Sequence, residues 1–108
     1  MNDDDNQTLV PDSFVDLYRD SRQRLTAPKQ EVAQRYEYCE DMAQMLVDSC
    51  RTIHFRDGVG EEEVLDRVLR GLADGAPGID AMHAVWVVRR TAELLEWRWT
   101  PPQAPEGG

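Results

Sequence analysis

The longest hydrophobic pattern lies in the middle of the chain. From Val32 to Ile53, small or apolar residues recur at alternating intervals of four and three positions. This spacing is that of one face of an α-helix, so it predicts a helix over 28–55, with Pro28 tolerated in the first turn. The residues of the pattern are Val32, Tyr36, Cys39, Ala43, Leu46, Cys50 and Ile53.

Three further helices are predicted around this one. A shorter helix over 13–25 precedes it, a third begins with three glutamates and covers 61–75, and the last covers 79–98. No segment alternates with period two for long enough to form a strand. The sequence therefore predicts an all-α protein, a small antiparallel four-helix bundle with one domain over 11–99. The inward positions of the first helix are Phe14, Leu17, Tyr18 and Leu25.

The last helix has two apolar sides and therefore needs two neighbours. One stripe consists of Ala81, Val85, Val88, Ala92, Leu95 and Trp99. We expect part of the opposite side to be exposed and to form a contact with a second copy or another protein. The alternative is that the first helix folds across this side and buries it. The interface candidates are Ile79, Met82, Trp86, Arg90 and Trp97.

Charge and composition exclude several classes of partner. The formal net charge is −9 and the sequence pI is about 4.5, so the surface repels nucleic acid and anionic membrane. The acidic start, MNDDDNQTLV, differs from a signal or transit peptide, and no apolar stretch is long enough to cross a membrane. We therefore expect a cytoplasmic protein whose ends, 1–10 and 100–108, are disordered.

Candidate chemistry is limited to a few residues. Cys50 and His54 lie one turn apart on the same helix face, which suits two ligands of a zinc ion, and His83 could supply a third. Cys39 lies eleven residues before Cys50, about 16 Å along a helix, so the two cannot form a disulfide. No phosphate-binding loop is present. The sequence favours a non-enzymatic interaction module without cofactor or catalytic residue, and the alternative is a small-molecule or metal-binding domain with a pocket near Cys50, His54 and His83.

Four segments carry a resemblance to a known family. They are PDSFVDLYRDSRQRLT, RYEYCEDMAQMLVDSC, EEEVLDRVLRGL and VWVVRRTAELLEW. Together they resemble a family of small helical proteins from proteobacteria, some of which bear the label "ATPase with chaperone activity". The resemblance covers residues 11–99 and implies a helical bacterial protein with no established activity. The label finds no support in these residues, because a phosphate cradle with a metal-binding group beside it is not visible.

Overall fold

The computed structural model describes residues 10–101. Four α-helices make up most of this range, and it contains no strand, since its extended pairing is one isolated bridge between Arg19 and Leu25. The predicted all-α class and the four helices are confirmed. The termini predicted to be disordered fall almost entirely outside the described residues. The helices are α1 (Asp12–Val15), α2 (Lys29–Asp57), α3 (Glu61–Gly75) and α4 (Ala81–Leu95).

Helix α2 matches its prediction closely. It begins after Pro28 and ends at Asp57, and the next residue, Gly58, has a φ of +68°, in the left-handed region that glycine adopts without strain. Its 29 residues include charged side chains along much of its length. Within residues 10–101, no helix is both long enough and apolar enough to cross a membrane.

The three long helices alternate in direction. Near the start of α2, the Tyr38 hydroxyl donates a hydrogen bond to the Pro77 carbonyl just before α4 (3.1 Å). At the other end, the rings of His54 and Trp97 are 5.2 Å apart. Helices α2 and α4 therefore run parallel, and α3, which follows α2 after only residues 58–60, runs antiparallel to both.

The core lies where these three helices meet and includes both cysteines. Cys39 and Cys50 are free thiols with no exposed surface, as the seam position of Cys50 predicts. Burial raises the pKa of each thiol to about 11, so neither is a reactive thiolate near neutral pH. The largest fully buried side chains are Phe14, Leu65, Val64, Val87, Val88, Thr91, Cys39 and Cys50.

The first helix is much shorter than the predicted 13–25. It makes one α-helical turn, Asp12–Val15, continues as a 3₁₀ turn, Asp16–Tyr18, and then stops. The Tyr18 carbonyl accepts a hydrogen bond from the backbone N–H of Thr26 (2.6 Å) instead of from a following helical turn.

The loop after Tyr18 explains this early end. One carboxylate oxygen of Asp20 accepts hydrogen bonds from the backbone N–H groups of Arg22 (2.8 Å) and Arg24 (3.0 Å). Short polar side chains that bind nearby backbone in this way compete with helix formation. Gln23 has a φ of +67°, which also breaks the helical path. Residues 10–27, called the N-terminal segment below, therefore form two short helical turns followed by a loop, and not a full helix.

The last helix also ends earlier than predicted, at Leu95 instead of 98. Glu96 takes the left-handed conformation, its N–H donates to the Glu93 carbonyl (3.1 Å), and the N–H of Trp97 donates to the Ala92 carbonyl (2.9 Å). This is a Schellman ending, which usually has glycine at the left-handed position. The absence of glycine there concealed the end of the helix in the sequence.

The predicted inward stripe of α4 is shifted around the helix. Ala81, placed in that stripe, is exposed, whereas Ala84 and Val87 are fully buried. The hydroxyl of the buried Thr91 donates to the Val87 carbonyl (2.8 Å), which satisfies its hydrogen bond inside the core. The buried residues of α4 are His83, Ala84, Trp86, Val87, Val88, Thr91, Ala92 and Leu95.

The two phenylalanines give a matched test of this packing. Phe14 has no exposed surface, whereas Phe55 is 79% exposed. We expect Phe14→Ala to lower the free energy of unfolding by about 3–5 kcal/mol, because it removes a buried ring and leaves a cavity. We expect Phe55→Ala to change it by less than about 0.5 kcal/mol. Urea denaturation of both variants measures this, and equal losses would contradict the placement of Phe14.

Candidate functional site

Trp86 lines a concave surface between α2, α4 and the N-terminal segment, and the N-terminal segment covers most of its side chain. The Phe14 ring packs edge-on against the indole, with centroids 5.0 Å apart, and Tyr36 of α2 packs similarly at 5.7 Å. The indole N–H donates to the Ser13 hydroxyl (3.0 Å). Trp86 is consequently only 7% exposed, so the expected exposure of this residue is wrong. The structure agrees with the alternative, because the N-terminal segment folds across this side of α4 and buries Trp86.

A cavity of about 710 Å³ remains beside Trp86. Its walls come from the start of the N-terminal segment, from Tyr36 on α2 and from one side of α4. We call it the Trp86 cavity. Most of its lining residues are charged or carry a hydroxyl group, unlike the mostly apolar lining of small-molecule pockets. They are Val10, Pro11, Asp12, Ser13, Tyr36, Trp86, Arg89, Arg90 and Glu93.

Arg90 forms the charged wall of this cavity. Its Nε and Nη2 atoms donate to the two carboxylate oxygens of Glu40 (2.9 and 3.2 Å), and its Nη1 donates to Glu93 (3.2 Å). The pair with Glu93 lies within α4 at a spacing of three residues, and the pair with Glu40 joins α4 to α2. A bidentate arginine–carboxylate pair is stronger and more directional than an ordinary surface pair. The guanidinium group is thereby fixed in place.

The hydrogen bonds between Arg90 and Glu40 shift the pKa values of both side chains. Burial acts to raise the pKa of Glu40, but hydrogen bonds from Arg90 and Gln44 outweigh it, so the pKa lies below its usual 4.5. The hydrogen bond to Glu40 raises the pKa of Arg90. The Glu40 side chain is only 17% exposed, although the residue after it, Asp41, is exposed.

Arg89 differs from its neighbour Arg90. It is exposed, lines the same cavity, and makes no ion pair with any residue of the range 10–101. Its guanidinium group therefore remains available to an incoming ligand or protein. Sequence reasoning missed Arg89 because two adjacent arginines give no sign of which one is neutralised by a distant glutamate.

The five predicted interface residues do not form one surface. Trp86 and Arg90 line the cavity, and Met82 stands exposed (57%) one turn before Trp86. Ile79 is only 7% exposed and belongs to the core, so it is unavailable to a partner. Trp97, eleven residues after Trp86, lies at the far end of the bundle against His54.

The alternative site near Cys50, His54 and His83 is divided by the fold. His54 shares a hydrogen bond of 2.6 Å between its Nδ1 and the Val59 carbonyl, at the end of the bundle where Trp97 lies. His83 lies in the first turn of α4, at the opposite end. Among residues 10–101, no group of three or more His, Cys, Asp or Glu side chains is arranged to hold a metal ion.

His83 instead ties the N-terminal segment to α4. Its Nε2 lies 2.6 Å from the Tyr18 hydroxyl and its Nδ1 lies 2.6 Å from the Asp80 carboxylate, which also caps α4 through the His83 backbone N–H (2.9 Å). Burial acts to raise the pKa of Asp80, but the hydrogen bonds from His83 outweigh it and lower that pKa. Burial raises the pKa of Tyr18. The hydrogen-bonded series Tyr18–His83–Asp80 therefore holds the N-terminal segment against the start of α4.

Comparison with known proteins adds no relative. No family model, no curated protein and no solved structure matches this chain. The resemblance to small proteobacterial helical proteins and the cytoplasmic location therefore stay predictions. The candidate site rests on geometry alone.

The Glu40–Arg90 pair makes a pH-dependent prediction. Because the pKa of Glu40 is lowered on folding, its charged form stabilises the fold above about pH 4.5, and this contribution is lost as the pH falls through the lowered value. We expect Glu40→Gln to lower the free energy of unfolding by about 1–3 kcal/mol at pH 7 and by less at pH 3.5.

The control is Asp48→Asn, an exposed carboxylate on the same helix. It should change stability by less than about 0.5 kcal/mol at both pH values. Urea denaturation at the two pH values measures both variants. A loss for Glu40→Gln that is the same at pH 7 and pH 3.5 would contradict the role of the ionised pair.

Proposed function

We propose that this protein is a non-enzymatic helical interaction module that self-associates through one stripe of α4. The stripe consists of Met82, Trp86, Arg89 and Glu93, spaced at intervals of four, three and four residues, so it follows one side of the helix. We call it the α4 stripe. The observation that carries the proposal is an exposed Met82 together with Arg89, which makes no ion pair among residues 10–101 and lines the Trp86 cavity.

The composition of the stripe suits a protein contact. Met82 is one of four large hydrophobic side chains exposed among the described residues, and methionine adapts its shape to a partner surface. Trp86, one turn away, is only 7% exposed, so a partner reaches it through the Trp86 cavity that it lines. Tryptophan and arginine are the residue types that most often dominate the energy of protein interfaces. The stripe thus has an apolar anchor and a charged rim.

Charge favours a second copy as the partner. Two chains of net charge −9 repel each other over most of their surfaces, as at the glutamates that open α3. The α4 stripe instead carries one cation, Arg89, and one anion, Glu93, one turn apart. Under two-fold symmetry, a contact made by one copy is made again by the other, so Arg89 of each copy can face Glu93 of its mate, whose 61% exposed side chain also accepts a hydrogen bond from Arg90 of its own chain (3.2 Å). The stripe is therefore self-complementary in charge.

The cysteine and histidine side chains that could serve in catalysis are buried or held in hydrogen bonds. The thiol of Cys50 is buried and has a raised pKa, which suppresses the thiolate. The rings of His54 and His83 are engaged in structural hydrogen bonds. These features support a binding protein over a cysteine or histidine enzyme.

Two methionine substitutions test the proposal. Met82→Glu places a carboxylate in the α4 stripe, and Met45→Glu adds the same charge at a methionine of α2 that is 68% exposed. Sedimentation equilibrium over a wide concentration range should show a dimer for the unmodified protein. We expect Met82→Glu to raise the dimer dissociation constant by about tenfold or more, because it introduces an unpaired charge at the contact. Met45→Glu should leave it unchanged.

Two results would contradict self-association through this stripe. One is an unmodified protein that remains monomeric up to millimolar concentration. The other is an equal effect of the two glutamate substitutions, which would show that general charge repulsion, and not the α4 stripe, controls association.

A further inference from the structure

A second groove lies on the other side of Val10, between the N-terminal segment and the start of α2. Its volume is about 210 Å³, and its base is Val32, which is 3% exposed. Arg19 and Lys29 stand at its rim. We call it the basic-rimmed groove. Its apolar lining residues are Val10, Val15, Leu25, Val32 and Ala33.

The loop beside this groove carries positively charged side chains, most of which make no ion pair within residues 10–101. Arg22 and Arg24 lie on the loop that leads into Leu25, and their side chains, like that of Lys29, make no ion pair within residues 10–101. Asp20 makes no ion pair with these cations within residues 10–101, and one of its carboxylate oxygens accepts two backbone N–H groups of the loop. Arg19 has one ion pair, a 3.4 Å contact with Asp16, and its Nη1 donates a hydrogen bond to the Gln23 carbonyl (2.9 Å).

The local charge is opposite to that of the whole protein. Between residues 16 and 29 there are four cations and two carboxylates, whereas the chain as a whole has a net charge of −9. Lysines and arginines placed together on an acidic protein produce a local positive potential that attracts carboxylates. The four cations are Arg19, Arg22, Arg24 and Lys29.

We propose that the basic-rimmed groove binds an acidic peptide segment of a partner protein, with an apolar side chain of that segment inserted in the groove and carboxylates on its flanks. The groove is smaller than the roughly 300–1,000 Å³ of small-molecule pockets, so it suits an anchoring side chain of a larger partner. Charge complementarity fixes the flanking residues as acidic. This surface is separate from the α4 stripe, so its role does not depend on self-association.

The probe for this proposal is a fluorescein-labelled synthetic peptide, Glu-Glu-Asp-Leu-Leu-Asp-Glu-Glu. Its fluorescence anisotropy on titration with the full chain measures binding. We expect saturable binding that weakens as salt is raised above about 0.1 M, where charges more than about 10 Å apart are screened. A second peptide with serine in place of both leucines should bind about tenfold more weakly, because it lacks the apolar anchor.

Two double variants locate the binding site. Arg22→Ser with Arg24→Ser removes two cations from the loop, while Arg51→Ser with Arg98→Ser removes two exposed cations elsewhere that make no ion pair with another described residue. The first variant should weaken binding by about tenfold and the second should leave it unchanged. Both leave the buried core intact, since none of the four side chains is buried.

The residues before Val10 include Asp3, Asp4 and Asp5, which have the chemistry of the proposed ligand. The probe is therefore also titrated into the Asp3→Asn, Asp4→Asn, Asp5→Asn variant, in which this competing charge is removed. Binding by the unmodified chain or by this variant, with the expected dependence on leucine, supports the proposal. No binding by either protein, equal binding of the serine peptide, or equal effects of the two arginine variants would overturn it.

Discussion

The insertion of Phe14 among the rings of α2 and α4 is the contact on which the rest of the structure depends. Its centroid lies 5.0–5.7 Å from those of Tyr18, Tyr36, His83 and Trp86, in tilted or edge-on geometry. Aromatic pairs in this arrangement stabilise a fold beyond the area that they bury. This cluster holds the N-terminal segment against α2 and α4, and two of its members, Tyr36 and Trp86, line the Trp86 cavity.

The three long helices could be predicted from the sequence because their signals are local. The unbroken spacing from Val32 to Ile53 defined α2, and the glutamates after Gly60 defined the start of α3. The first helix was overestimated because hydrophobic spacing does not reveal hydrogen bonds such as those from the loop backbone to Asp20. The end of α4 was missed for a related reason, since Glu96 occupies a position where glycine is the usual signal.

The candidate site was only partly predictable, because its key contacts join residues far apart in the chain. The unusual distribution of apolar residues on α4 correctly indicated that this helix needs two neighbours, and it singled out Trp86 and Arg90. It could not show that Ser13 would accept the indole N–H across 73 positions, or that Glu40 would neutralise Arg90 across 50. With Trp86 and Arg90 engaged in those two contacts, the exposed groups on this side of α4 are Arg89, which lines the Trp86 cavity, and Met82, one turn before Trp86.

A nuclear Overhauser measurement on the full chain in solution tests most directly whether Phe14 packs against Trp86 and Tyr36. The chain has only two phenylalanines and three tryptophans, so the ring protons of Phe14 and Trp86 can be assigned. The account predicts strong cross-peaks between these two rings, whose centroids lie 5.0 Å apart, and between Phe14 and Tyr36 at 5.6 Å. A spectrum of the folded protein that lacks both cross-peaks would contradict the placement of the N-terminal segment and of the cavities that it lines.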